Sequence, residues 1–158
     1  MIASTSTNYT GRKKDISVLR SPDATIAGAQ NVTIAFGKHG QFCAGLQKII
    51  QKYAIILLTN IGSQPNYPSF GTNFLARIQG GISPVDNLRA AQIFNLASYS
   101  AVNTLKAYQA TRDDIPDDER ITSASLTSIV LYNGSASFDV SISTEAGSIM
   151  NFLIPLPR

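Results

Sequence analysis

The chain has 158 residues, 44% of them hydrophobic and 15% charged, with a formal net charge of +3. That length suits one domain with one core, and the low charge fits either a surface buried among partners or a sticky soluble monomer. No apolar run approaches a membrane span, no Lys/Arg run beyond Arg12-Lys13-Lys14 offers a nucleic-acid groove, and the single Cys43 cannot form an intrachain disulfide.

Residues 1–14 are polar and rich in Ser and Thr, with no apolar stretch like that of a secretory signal. They read as a flexible arm ahead of one domain over residues 15–158. Ile16, Val18 and Leu19 suggest a short extended segment, and Ser21-Pro22-Asp23 a turn. Thr25–Ala27 and Val32–Phe36 are strand candidates. Gly37–Gly40 is a turn holding His39. Leu46, Ile49, Ile50, Tyr53, Ile56 and Leu57 then recur at helical spacing, which predicts a helix over Leu46–Leu58. Gln47, Lys48, Gln51 and Lys52 fall on its other, solvent side. Cys43, just before it, reads as a buried thiol.

Gly62, Pro65 and Pro68 forbid continuation of that helix. They make a stiff loop that costs little entropy to order, which suits a recognition surface or a plain connector. Phe74, Leu75 and Ile78 give a short helical turn ending at Gly80-Gly81. Ser83 as N-cap, Pro84 in the first turn and Asp86 at the dipole's positive end predict a second helix over Val85–Gln109. Its apolar face is read as Leu88, Ala91, Ile93, Leu96, Tyr99, Val102, Leu105 and Tyr108. The segment Asp113–Arg120 holds five of the ten acids and reads as a solvated linker, with an acidic contact surface as the alternative. Ile121–Tyr132 is β-rich, Asn133-Gly134 is a hairpin signal, and Phe138, Val140 and Ile142 alternate with Ser137, Asp139, Ser141 and Ser143. After a Thr144–Gly147 turn, Ile149–Ile154 is a last strand, stopped by Pro155 and Pro157. This order predicts an α+β fold: two long helices packed on a small antiparallel sheet, with a C-terminal three-stranded meander.

No catalytic residue, cofactor or metal site is expected. Glycoside hydrolysis uses two carboxyl groups about 5 to 9.5 Å apart, yet no Asp or Glu stands between Asp23 and Asp86. His39 and Cys43 are two ligands at most, which do not close a zinc site, and no phosphate-binding Gly loop is present. The C-terminal meander instead carries few of the Lys or Pro guards that blunt a strand edge, and an open edge can accept another chain's strand.

The stretch ILLTNIGSQPNYPSFGTNFL, through Leu57, Thr59, Gly62, Pro65, Pro68, Phe70 and Gly71, resembles the signature of the small baseplate wedge proteins of contractile phage tails. This is the sheath-initiator family, shared with contractile injection systems and labelled lysozyme-like. Ser63 and Gln64 stand where that pattern has an acidic residue and an Arg. Asp118-Glu119-Arg120-Ile121, Gly147 and Leu153–Leu156 are similar to the family's C-terminal end, so the resemblance covers roughly Ile16–Leu156. It implies a structural virion protein that joins the baseplate wedge to the tail sheath and nucleates sheath assembly by β-strand pairing, in sixfold copies near the tail tube or hub. Thr59, Gly62, Gln64, Pro65, Pro68, Phe70 and Gly71 would dock on the wedge's core helical bundle. Ile149, Asn151 and Leu153 would offer the edge to sheath strands. The alternatives are a lysozyme-like cell-wall hydrolase and a binding module of a non-contractile tail.

Overall fold

A computed structural model describes residues 11–20, 30–31, 33–34, 42–80, 86–132 and 135–157. Helix α1 spans Leu46–Leu58, and the six apolar residues read from its spacing are all buried. α2 (Phe74–Gln79) and α3 (Asn87–Ala110) follow, and a 3-10 turn at Asp117–Glu119 leads into the sheet. Three long strands form the antiparallel meander: β6 (Ile121–Tyr132), β7 (Ser135–Thr144) and β8 (Ile149–Pro157). Five two-residue strands precede the helices: β1 (Asp15–Ile16), β2 (Leu19–Arg20), β3 (Gln30–Asn31), β4 (Thr33–Ile34) and β5 (Phe42–Cys43). β1 pairs with β5 and β2 with β4, both antiparallel. β3 lies parallel to β8, so the main sheet runs β3-β8-β7-β6. Of the extended segments expected in the N-terminal part, Thr25–Ala27 lies outside the described residues.

Every second residue of β7 is buried, among them Phe138, Val140 and Ile142, against the layer of helices. The two layers are joined by rings. Phe94 of α3 stacks on Phe138 at 5.5 Å, and Phe74 of α2 meets both edge-on at 5.7 and 5.2 Å. Such pairs add about 0.5–1.5 kcal/mol each beyond their buried area. Tyr53 of α1 meets Phe152 of β8 edge-on, and its hydroxyl donates to Ser98 of α3 at 2.8 Å. Burial pushes that phenol's pKa upward against the small opposing pull of Ser98.

Four expectations for the helices and the length of β8 need correction. α3 begins at Asn87 with Asp86 as its cap, the carboxylate accepting from the Arg89 N–H at 2.9 Å; Ser83 and Pro84 lie outside the described residues. Its buried face is Ala90, Phe94, Ala97, Ser98, Ala101, Val102, Leu105 and Gln109, while Leu88, Leu96, Tyr99 and Tyr108 point out. The small residues are inside because a helix laid across a sheet at close range has no room for large ones at every contact. Third, Gln51 is buried on α1: its Nε2 donates to the Ile16 carbonyl and its Oε1 accepts from the Val18 N–H, both at 2.9 Å, which ties the segment between β1 and β2 to the helix. Fourth, β8 does not stop at its prolines. Pro155 and Pro157 pair with Ser137 and Ser135 in unbroken register.

The acidic segment is not a solvated linker. Asp118 and Glu119 are buried. Arg12 Nη1 donates to both carboxylate oxygens of Asp118, at 2.7 and 2.5 Å. Glu119 accepts from Lys48 Nζ at 2.7 Å and from the Gly45 N–H at 2.9 Å. It thereby places a carboxylate at the N-terminus of α1, which has no side-chain cap of its own. Arg120 turns back to donate to the carbonyls of Ile115 and Arg112 beyond the C-terminal end of α3. Within the expected arm, Lys13 pairs with Asp114 at 2.5 Å and holds that exposed carboxyl below its ordinary pKa.

Candidate functional site

α1 ends where Thr59 turns extended and its hydroxyl donates back to the Ile55 carbonyl at 2.6 Å. From there the chain makes a loop closed at its base by two residues. Thr72 N–H donates to the Thr59 carbonyl at 2.8 Å, Ile61 N–H donates to the Thr72 carbonyl at 3.0 Å, and the Thr72 hydroxyl reaches the Leu57 carbonyl at 2.7 Å. Inside the loop, Gly62 N–H donates to the Pro68 carbonyl at 3.0 Å and Tyr67 N–H to the Gln64 carbonyl at 3.1 Å. The loop therefore satisfies much of its own backbone, as a preset surface feature does.

The seven loop residues expected to bind a partner divide by role. Gly62, Gln64, Pro65 and Pro68 are exposed. Thr59 and Phe70 are half-buried, Phe70 packing against the core, and Gly71 is buried. These three brace the loop. Gly71 has φ 103°, and a Cβ there would run into the Thr59 carbonyl oxygen. Gly62 has φ 81° with open space around it, so its constraint is torsional alone. It is a turn residue inside the loop, three positions beyond Thr59, which caps α1. Two residues that sequence reasoning missed stand out on the loop, Ile61 and Tyr67, both exposed. Tyr67 between Gln64-Pro65 and Pro68 was the available signal, an aromatic between rigid turn residues. No charged residue occurs from Asn60 to Ala76, so the surface is neutral and amphipathic.

The strand edge differs from expectation. Gln30 and Asn31 of β3 stand beside Phe152 and Leu153, so Leu153 is on an interior strand at that point. Ile149 and Asn151 are exposed on the same strand. Among the described residues the long strand with no neighbour on one side is β6. Its register slips at Ile121/Ser123 and Leu126/Ser128, and it pairs regularly from Ser128 to Tyr132. Irregularities of this kind bend an edge strand and limit pairing to the regular run.

The acids are placed for structure. Asp118 and Glu119 each meet a cation. Asp139 has one buried carboxylate oxygen without a hydrogen-bond partner, but its cross-strand neighbours are Ser128 and Leu153, neither an acid. Cys43 is buried, and burial raises its thiol pKa, helped by Asp15. Among the described residues no group of three His, Cys, Asp or Glu side chains could hold a metal; His39 lies outside them. No described helix is long and apolar enough to cross a membrane.

No protein-family model matches the chain, and no curated protein sequence matches it. A solved structure that does match is a Geobacter sulfurreducens protein provisionally named a tail lysozyme, with 17% identity and a TM-score of 0.41 over 70% of this chain and 87% of that one. A likeness at that level does not bear on function.

Proposed function

We propose that the chain is a structural protein of a contractile phage-tail baseplate, seated in the wedge in sixfold copies, which joins the wedge to the tail sheath and starts sheath assembly. The observation that carries this reading is the loop at residues 61–69: every residue is exposed, none is charged, and hydrogen bonds of its own backbone hold it in shape. A self-braced, neutral, exposed loop carrying Tyr67 and Pro68 suits docking on a helical bundle of wedge proteins. It falls on the residues that resemble the sheath-initiator signature. The sheath side of the proposal moves from β8 to β6, whose regular run Ser128–Tyr132 has the open side. The protein is then a virion component assembled in the host cytoplasm, beside tail tube or hub proteins, and not an enzyme. A cell-wall hydrolase would need a carboxyl pair in one cleft, and the buried acids here are held by Arg12 and Lys48. A module of a non-contractile tail would use the same loop and lack the sheath step.

The test is reconstitution of wedges from purified wedge proteins with wild type and with Tyr67→Ala/Pro68→Ala. The folded variant should stay out of the wedge. Incorporation at the wild-type level defeats the loop as docking surface. In parallel, the protein should not clear peptidoglycan; clearing that disappears in Asp139→Asn replaces the scaffold reading with hydrolysis.

A further inference from the structure

Between α2 and α3 runs a groove of about 500 Å³ lined by Arg77 and Gly80 on one side and Arg89, Gln92, Ile93 and Leu96 on the other. Beside it stands the outward row of α3, where Leu88, Leu96 and Tyr99 are 72%, 65% and 71% exposed. With Gln92 they fall on one side of the helix, and Leu88 to Tyr99 covers about 16 Å along its axis. Large apolar side chains in such a row, next to a concave groove, mark a surface that another molecule covers.

Charge tells what covers it. From Ala24 to Arg112 the sole acid is Asp86, and one of its oxygens caps the Arg89 backbone N–H. Among the described residues neither Arg77 nor Arg89 pairs its guanidinium with an acid. Among the described residues the groove thus sets Ile93 and Leu96 between two cations that have no acidic partner. An extended segment lying on these side-chain walls would find no strand to pair its backbone with, whereas a helix satisfies its own. A lipid surface would favour a convex face over a concave groove.

We propose that this groove binds an amphipathic helix of a partner protein, about three turns long, with Leu- or Phe-type anchors over Ile93 and Leu96 and Asp or Glu side chains meeting Arg77 and Arg89. The proposal does not depend on the tail assignment or on the loop at residues 61–69.

The probe is a display library of helix-forming peptides of roughly 16 residues with randomised outward positions, selected on the full chain. Enriched sequences should combine apolar residues at helical spacing with Asp or Glu. As synthetic peptides they should lose at least about tenfold affinity on Arg77→Glu/Arg89→Glu and on Leu96→Ser, and weaken as salt is raised. Each altered residue is exposed, and thermal melts of the variants confirm folding; Arg77→Gln/Arg89→Gln replaces the charge reversal if that variant does not fold. The inference is overturned by no enrichment, by enriched peptides without acids, or by affinities unchanged in the folded variants. Binding of the protein to phosphatidylglycerol vesicles that Leu96→Ser abolishes also overturns it, in favour of a membrane surface.

Discussion

Proline at Asn151 tests the hydrogen-bond phase of β8. Pro155 and Pro157 have no N–H, yet they sit opposite Ser137 and Ser135 in a register that runs unbroken from Ile149. In an antiparallel ladder, N–H groups alternate between the partner strand and the other side. The two prolines therefore fix the phase: Ile149, Asn151 and Leu153 also point their N–H groups away from β7, toward the side where β3 lies. Asn151→Pro takes no donor from the β7–β8 ladder and should cost less than about 1 kcal/mol, below the worth of one such bond. Met150, buried and paired with Ile142, has the opposite phase. Met150→Pro loses a ladder bond, about 0.5–1.5 kcal/mol, and leaves a buried carbonyl unpaired, about 1–3 kcal/mol. Subtracting the cost of Met150→Ala removes the side-chain loss, so the backbone difference should be about 1.5–4.5 kcal/mol. Thermal unfolding separates the cases, since 1 kcal/mol moves the Tm by about 2–4 °C at this chain length. If Asn151→Pro costs as much as the Met150 Pro-minus-Ala difference, the phase is wrong. With β6 as the joining edge, baseplates carrying folded Asn151→Pro protein should still seed sheath; failure to do so would return the joining edge to β8.

Gly71→Ala should destabilise by more than about 3 kcal/mol, because the methyl meets backbone, whereas Gly62→Ala should cost about 1–2 kcal/mol from the left-handed φ alone; equal losses in urea unfolding would refute the distinction. Tyr53→Phe should cost about 1 kcal/mol at neutral pH by removing the bond to Ser98. Because folding raises the Tyr53 pKa above its ordinary value of 10.0, the stability it gives is complete below that pH and falls as pH rises past it. Tyr53→Phe should remove that alkaline loss, and a pH series that declines identically in both proteins speaks against it. Glu119→Ala leaves the Lys48 ammonium without its counter-charge, held only by the Lys13 carbonyl at 2.9 Å, and the Gly45 N–H without its acceptor, and should cost about 3–5 kcal/mol; Glu119→Gln, which can still accept from Gly45, should cost measurably less in the same denaturation assay.

α1 was legible to the residue because one periodic stripe of large apolar side chains both forms it and buries it. The β7 alternation and the turn at Gly147, with its φ of 74°, were legible for the same local reason. α3 was not, because it carries large apolar residues on two sides. Periodicity picked the row with Leu88, Leu96 and Tyr99, while packing on the sheet selected Phe94 with the small Ala90, Ala97 and Ala101. Of the candidate loop, Gly62, Pro65 and Pro68 announced its rigidity, but the closing bonds of Thr72 and the exposure of Ile61 depend on where the chain returns. The roles of Arg12, Lys48 and Glu119 were out of reach for local reasoning: Arg12 finds Asp118 across 106 positions, and a charged run looks the same whether water or a guanidinium faces it. β3 was missed as a cover for β8 because a two-residue parallel pairing leaves no pattern of its own.

The carboxylate at the start of α1 lies 74 positions beyond Gly45, whose N–H it meets there. A chain growing from its N-terminus makes α1 and its apolar stripe well before Glu119 exists, and before Phe152 of β8 can meet Tyr53. β3 likewise waits for β8. The N-terminal part of the fold therefore settles only once β8 has been made, and contacts this distant in sequence slow folding and leave apolar surface open in the interval.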